Sequence, residues 1–199
     1  MTVPVILASA SQIRAKMLKN AAVPFSVAVP RVDEDSLKRS LISEGAPPRD
    51  IADALAEMKA RKIGEKEPTS FVIGCDQVLD FKGCLLSKPV TPDEALEQLK
   101  EMRGERHVLL SAAVIWHEGR PIWRHVGQVR LRMRAASDAY LQDYVARNWD
   151  SVRHAVGAYK LEEEGVRLFT GIDGDYFNVL GMPLLELLNF LALRGVIAQ

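Results

Sequence analysis

A chain of 199 residues carrying 26 basic and 26 acidic side chains has no overall field to draw it to nucleic acid or to an anionic membrane. Its length fits one large α/β domain or two closely packed lobes, and no apolar run is long enough to span a bilayer, although 48% of the residues are apolar. Cys75 and Cys84 are too few for a disulfide framework, and the opening Met1-Thr2-Val3-Pro4-Val5 lacks the regions of a signal peptide, so a soluble, reduced, cytoplasmic protein is expected.

Val3 to Leu7 is a β-branched apolar run and predicts a first strand. It leads into a helix with Ile13, Met17 and Leu18 at helical spacing and Ser9 or Ser11 as its N-cap. Small hydroxyl residues at a strand-to-helix turn, with Arg14 in the first turns, suit a phosphate cradle; the plainer reading is a capped helix with a solvated arginine. Phe25 to Val29 alternates toward a second strand. Asp33-Glu34-Asp35 then reads either as oxygen ligands for a hard divalent cation or as a solvated loop or acidic helix start. Residues 39–49, with Gly45, Pro47 and Pro48, look like a connector, and 51–62 like a helix with Ile51, Leu55 and Met58 inward. Lys59 reads by itself as a surface helix lysine.

Phe71 to Ile73 predicts a buried strand that delivers Asp76 just after Gly74. Lys82-Gly83, flanked by 78–81 and 84–86, reads as a hairpin tip, after which Lys88 precedes Pro89. Such an arrangement holds opposite charges across one cleft, unless both are simply exposed on turns. Thr91-Pro92-Asp93-Glu94 is a capping-box helix start, and Gly104 a helix stop. A strand over 107–116 returns through Glu118-Gly119-Arg120, and on the return Gln128, Arg130, Arg132 and Arg134 share one face opposite Val129, Leu131 and Met133. Ser137 caps a helix to about Asn148. A strand at 166–169, a polar loop at 172–179 and a largely buried helix at 184–194 complete the chain.

Several chemistries are missing. No Walker-type loop, dinucleotide glycine motif or nucleophile elbow occurs, and His107, His117, His125 and His154 lack zinc-ligand spacing. Asp, Glu, Lys, Arg and Ser at turns remain, a set suited to phosphoanhydride hydrolysis.

Those residues in that order resemble the Maf family of nucleoside triphosphate pyrophosphatases over nearly the whole chain. Ser9-x-Ser11-x-x-Arg14 is similar to the family's opening, Asp33-Glu34 to its Asp-Glu, and Leu55-Ala56-Glu57-Met58-Lys59-Ala60 to its Leu-Ala-x-x-Lys-Ala. Gly74-Cys75-Asp76-Gln77-Val78 with Ser87-Lys88-Pro89, Met102-x-Gly104-x-x-His107, Gly157-Ala158-Tyr159 and Asn178-Val179-x-Gly181-x-Pro183-Leu184 fit its later blocks. The resemblance implies a single domain over 1–199 with an elongated Maf/inosine-triphosphatase-like α/β fold. Its mixed, twisted sheet would be flanked by helices, with a cleft between two lobes. The implied reaction cleaves a nucleoside triphosphate between the α- and β-phosphates with Mg²⁺ or Mn²⁺, acting on non-standard or modified nucleotides.

By the same resemblance, Asp76 is the general base and Glu34 with Asp76 holds the metal. Ser9, Ser11, Arg14, Lys59 and Lys88 bind the phosphates, while Ile13, Gln77 and Glu162 set base specificity. Gln77 and Glu162 point to the branch acting on 7-methylguanosine triphosphate. Departures are Gln12 for a Pro, one Arg instead of a pair, Ser87 for a Gly, and Ile13 where that branch carries Trp. The alternative is a nucleotide-binding regulator of septum formation and cell division with little activity. An RNA-binding module using the Arg130–Arg134 face ranks third. A homodimer is expected by resemblance, with neither nucleic acid nor membrane as partner.

Overall fold

The computed structural model describes residues 3–198; Met1 and Thr2 of the opening segment, and Gln199, lie outside them. Strand β1 (Val5–Ala8) is buried along its length, as its unbroken apolar run requires. It pairs in parallel with β2 (Ser26–Val27) and with β3 (Phe71–Phe81). Helices α1 (Gln12–Asn20), α2 (Glu34–Ser43) and α3 (Pro48–Gly64) lie in the connections between these strands. Next come β4 (Cys84–Leu86), α4 (Pro92–Met102), β5 (Arg106–His117), β6 (Arg120–Met133) and α5 (Asp138–Val152). The chain closes with β7 (Phe169–Asp173), α6 (Tyr176–Val179) and α7 (Leu184–Leu193). Hydrogen bonding among the described residues makes one seven-stranded mixed sheet in the order β2-β1-β3-β5-β6-β7, with β4 also paired to β3.

The chain divides into two compact units. The first comprises the residues up to Gln77, Leu110–Gly127 and Asp175 onward; the second comprises Val78–Leu109 and Gln128–Gly174. In the first unit, Leu7, Ile73, Ala113 and Ile115 of the strands pack with Leu18 of α1 and with Met182, Leu187 and Leu191 near the C-terminus. On another face of β3, α3 comes so close that a Cβ on Gly74 would lie 2.1 Å from the Ala56 carbonyl oxygen and 2.5 Å from the Ala60 nitrogen. Only glycine permits this approach. In the second unit, Tyr144 and Leu141 of α5 are fully buried, and His107 Nε2 lies 2.8 Å from the Tyr159 hydroxyl.

Local expectations hold where a cap or a turn decides the geometry. Ser11, Thr91 and Ser137 cap their helices, and Lys82 and Gly83 both take positive φ, the hairpin conformation that reverses β3 into β4. The Glu94 carboxylate accepts from the Val90 N–H, one residue before the N-cap. Val129, Leu131 and Met133 are buried, while the arginines between them are exposed.

Elsewhere the elements shift. β3 does not end at Ile73 but continues through Asp76 to Phe81, because parallel pairing with β1 hands over to antiparallel pairing with β4. The second strand shrinks to two exposed residues, with Pro24 and Pro30 close on either side. Asp33 accepts from the Ser36 N–H and starts α2, which takes up much of the expected connector at 39–49. The expected strand at 166–169 is a 3-10 turn (Glu164–Leu168), and the strand follows it as β7. The polar loop at 172–179 ends in the short helix α6. Helix α7 buries Leu184, Leu187 and Leu191 but leaves Leu185 50% and Leu193 76% exposed. Cys75 is buried, Cys84 is exposed, and both are free thiols.

Two predictions follow from this packing. Gly74→Ala forces α3 off β3 and should destabilise the protein by about 1–3 kcal/mol in urea unfolding. Burial of His107 lowers its imidazole from 6.5 to about 4. Below the ordinary value the unfolded chain binds the extra proton. Stability therefore falls as pH drops from 6.5 toward 4 and levels off below that. The contribution is on the order of 3 kcal/mol, and His107→Gln should flatten the window relative to the unsubstituted protein.

Candidate active site

Side chains on a strand alternate, so Asp76 shares a face with Gly74, the face on which α3 rests. On α3, Ala56, Lys59 and Ala60 lie on one stripe. The two alanines flank Gly74, and Lys59 reaches Asp76. The Lys59 ammonium donates to Asp76 Oδ1 at 2.6 Å and meets Glu34 Oε2 at 2.8 Å. Lys59 and Asp76 are only 7% and 8% exposed, whereas the Glu34 side chain keeps 48% of its surface. A buried charge needs an opposite one beside it, and here each buried group supplies the other's.

Lys59 is thus no surface lysine. Of the two readings of Asp33-Glu34-Asp35, the acidic helix start is realised: Asp33 is the cap, Glu34 opens α2, and only Glu34 among the three contacts Lys59. Helix α2 buries none of its own residues. It carries Glu34 to Lys59 mainly through its packing on α3.

Arg14 occupies the third position of α1, beyond the Ser11 cap. Its Nε donates to the Gly181 carbonyl at 2.8 Å, and its Nη1 donates to the Cys75 carbonyl at 3.0 Å and to Ser9 Oγ at 3.5 Å. Ser9 Oγ also accepts from the Ser11 N–H at 3.2 Å. The guanidinium therefore ties together the turn after β1, the strand that bears Asp76 and the turn at Gly181. Gly181 has φ of 96°, and a Cβ there would sit 3.1 Å from the Arg14 guanidinium. Burial pushes the Cys75 thiol up to about 11, against the opposing pull of Arg14 and Lys59, so this cysteine stays protonated beside the site.

Gln77 projects to the opposite face from Asp76. Its amide nitrogen lies 2.9 Å from Ser111 Oγ, 2.9 Å from the Asn178 carbonyl and 3.0 Å from the Val179 carbonyl. Backbone carbonyls only accept, so the orientation of the amide is decided by its partners, and its oxygen is what remains for a ligand. Ser111 donates to the Asn178 carbonyl at 2.6 Å, and the Asn178 side chain occupies the space where a Cβ on Gly127 would stand. Ile13 is half-buried in the first turn of α1.

Lys88 and Glu162 belong to the second unit, on the loop after β4 and on the turn before Glu164–Leu168. Both are exposed, with no side-chain partner among the described residues. The neighbours of Glu162 are engaged. Glu163 binds Ser151 and Lys160, and Glu164 binds Arg147 and Asn148, which pull its carboxyl down to about 2.

Sequence reasoning left Ser111, Gly127 and the carbonyls of Asn178 and Val179 without a role. A serine inside the apolar run 109–116 and a glycine inside a strand were the available signals. An open groove of about 640 Å³ between α2 and α3, lined by Arg31, Leu37, Met58 and Lys62, contains none of the predicted site residues.

Lys59, Asp76 and Glu34 also bear on metal binding. The two carboxylates already converge on one cation, the ammonium, and both are hard oxygen donors. Among the described residues no cluster of three or more His, Cys, Asp or Glu side chains forms. That complement fits Mg²⁺, which is commonly held by one or two carboxylates with phosphate and water oxygens completing the shell.

Arg14→Lys keeps the charge but loses the planar fork that reaches both carbonyls. The variant should lose about 2 kcal/mol in urea unfolding while its net charge is unchanged.

The family described as Maf-like protein matches residues 4–193. Among curated relatives, a nucleoside triphosphate pyrophosphatase of Ruegeria pomeroyi is 75% identical over 197 residues, 99% of either chain. One of Caulobacter vibrioides is 52% identical over 194 residues, 98% of this chain and 97% of its own. A 7-methyl-GTP pyrophosphatase of Brucella abortus is 42% identical over 188 residues, 94% of either chain. The buried Lys59–Asp76 pair, the Arg14 clamp and the full-length match lead to one assignment: the chain belongs to the Maf family.

Proposed function

We propose that this protein is a nucleoside triphosphate pyrophosphatase, one domain over its whole length, that hydrolyses the α–β phosphoanhydride to a nucleoside monophosphate and pyrophosphate. The observation that carries this reading is the buried Lys59 ammonium shared by Asp76 and Glu34, in a chain whose relatives bear that name. Asp76 has two carboxylate oxygens and Lys59 occupies one, so the carboxylate is suited to orient a water and take its proton. Arg14, Lys59 and Lys88 oppose the negative charge that builds on the leaving pyrophosphate, and Ser9 and Ser11 donate to phosphate oxygens. Glu34 and Asp76 would hold Mg²⁺ or Mn²⁺, which would supply Lewis-acid polarisation of the phosphate groups.

For the base, what supports a purine is the count of acceptors. Gln77 spends its amide N–H groups on the protein and offers an oxygen, and Glu162, which the family resemblance assigns to the base, carries a carboxylate with no side-chain partner among the described residues. Acceptors suit the guanine edge, where N1–H and the amino group are donors, better than thymine or uracil with a single N3–H. A carboxylate also complements the positive charge of a 7-methylated guanine. Ile13 would supply apolar contact in place of aromatic stacking. The modified purine nucleotide is the substrate we favour, as in the name of the Brucella abortus relative. Among the described residues no helix is long and apolar enough to cross a membrane. We propose in addition that the protein works in the cytoplasm as a homodimer, without nucleic acid.

Pyrophosphate release, measured against 7-methylguanosine, thymidine, uridine and cytidine triphosphates with Mg²⁺ or Mn²⁺, should favour the methylated guanine. Preference for a pyrimidine removes the base assignment but keeps the enzyme. Asp76→Asn should lower kcat by about 10²–10⁴-fold with the fold intact. Release from none of the four would favour the septum-regulator reading instead.

A further inference from the structure

We propose that Lys59 is the resident counter-ion of the Glu34–Asp76 pair and competes with the divalent cation for it, so that the metal enters with the triphosphate rather than ahead of it. The inference rests on the reading that these two carboxylates hold the metal. In the free protein the ammonium is 2.6 Å from Asp76 Oδ1 and 2.8 Å from Glu34 Oε2, so it takes one oxygen of each carboxylate and sits between the pair that would hold a metal. A metal held by the same carboxylate pair would lie next to the ammonium and repel it strongly, so metal binding there moves Lys59 aside.

Lys59 has little room for this. It is 7% exposed, and leaving the pair strands a buried ammonium unless new anions receive it. No third acidic, histidine or cysteine ligand gathers with the pair among the described residues to raise the affinity for metal alone. A triphosphate supplies both missing components, oxygens for the metal and anions for Lys59. The flexible four-carbon stem of lysine allows the ammonium to move from carboxylate to phosphate with only side-chain rotation. With Lys59 in place the trio offers a free metal ion one net negative charge where the bare carboxylate pair would offer two.

The experiment follows Mn²⁺ held by the protein in equilibrium dialysis, with and without a non-hydrolysable α,β-methylene nucleoside triphosphate on both sides of the membrane, so that Mn²⁺ chelated by the free analogue is counted on either side. For the unsubstituted protein the analogue should tighten Mn²⁺ binding at least tenfold. For Lys59→Met, Mn²⁺ alone should bind at least tenfold more tightly than to the unsubstituted protein, and the analogue should add less. If Lys59→Met does not fold, Lys59→Gln is judged by the same criterion. Equal or weaker Mn²⁺ binding by the Lys59 variant, or no gain from the analogue with the unsubstituted protein, overturns the inference while leaving the carboxylates as metal ligands. If Mn²⁺ is not retained by either protein even with the analogue, the metal reading falls, and this inference with it.

Discussion

The contact on which the site depends is a buried ammonium held between a buried and a half-exposed carboxylate. Asp76 and Lys59 could not occupy their positions separately, since either charge alone in that environment would be strongly unfavourable. Their meeting requires α3 to lie directly on β3, and that requires Gly74, because any Cβ there would collide with the helix backbone at Ala56 and Ala60. One glycine, two alanines and a lysine at helical spacing thus set the position of the candidate base. Glu34 adds a second anion from α2, a helix with no buried residue of its own, so the trio is part of what holds α2 in place.

Around the trio, side-chain donors are consumed by backbone carbonyls. Arg14 spends hydrogen bonds on Gly181 and Cys75, and Gln77 spends its amide on Asn178 and Val179. These bonds make both residues rigid and determine what each can still offer. Arg14 presents positive charge from a guanidinium that is already oriented, and Gln77 presents an acceptor. A preorganised donor set loses little entropy on meeting a polyanion, which is the condition for it to act on a transition state. Gly181, with positive φ and no side chain, leaves room for the guanidinium to lie against it.

With equal numbers of acidic and basic side chains, the protein has no long-range attraction for a triphosphate. Attraction has to be local. Structural ion pairs such as Arg147–Glu164 and Arg124–Glu57 use up charge at the surface, while Lys88 and Glu162 are left open in the second unit. Unpartnered charges beside satisfied neighbours are the ones available to a ligand.

Much of the fold was legible in the residues. Val5–Ala8 reads as a buried strand, Ser11, Thr91 and Ser137 read as caps, and Lys82-Gly83 reads as a tight turn, because these depend on neighbours a few positions away. The ordered motifs also identified the family, since each carries a local chemistry. Three features were not legible. Lys59 looked like a surface residue because its partners lie 17 and 25 positions away. The extension of β3 through Asp76 depends on pairing with β4 beyond it, and the commitments of Arg14 and Gln77 are to carbonyls, which every residue possesses and no sequence pattern marks. The sequence by itself determined the elements, their caps and the family. Tertiary structure alone decided which charges are buried together, because burial and pairing arise only when distant segments exclude water from one another.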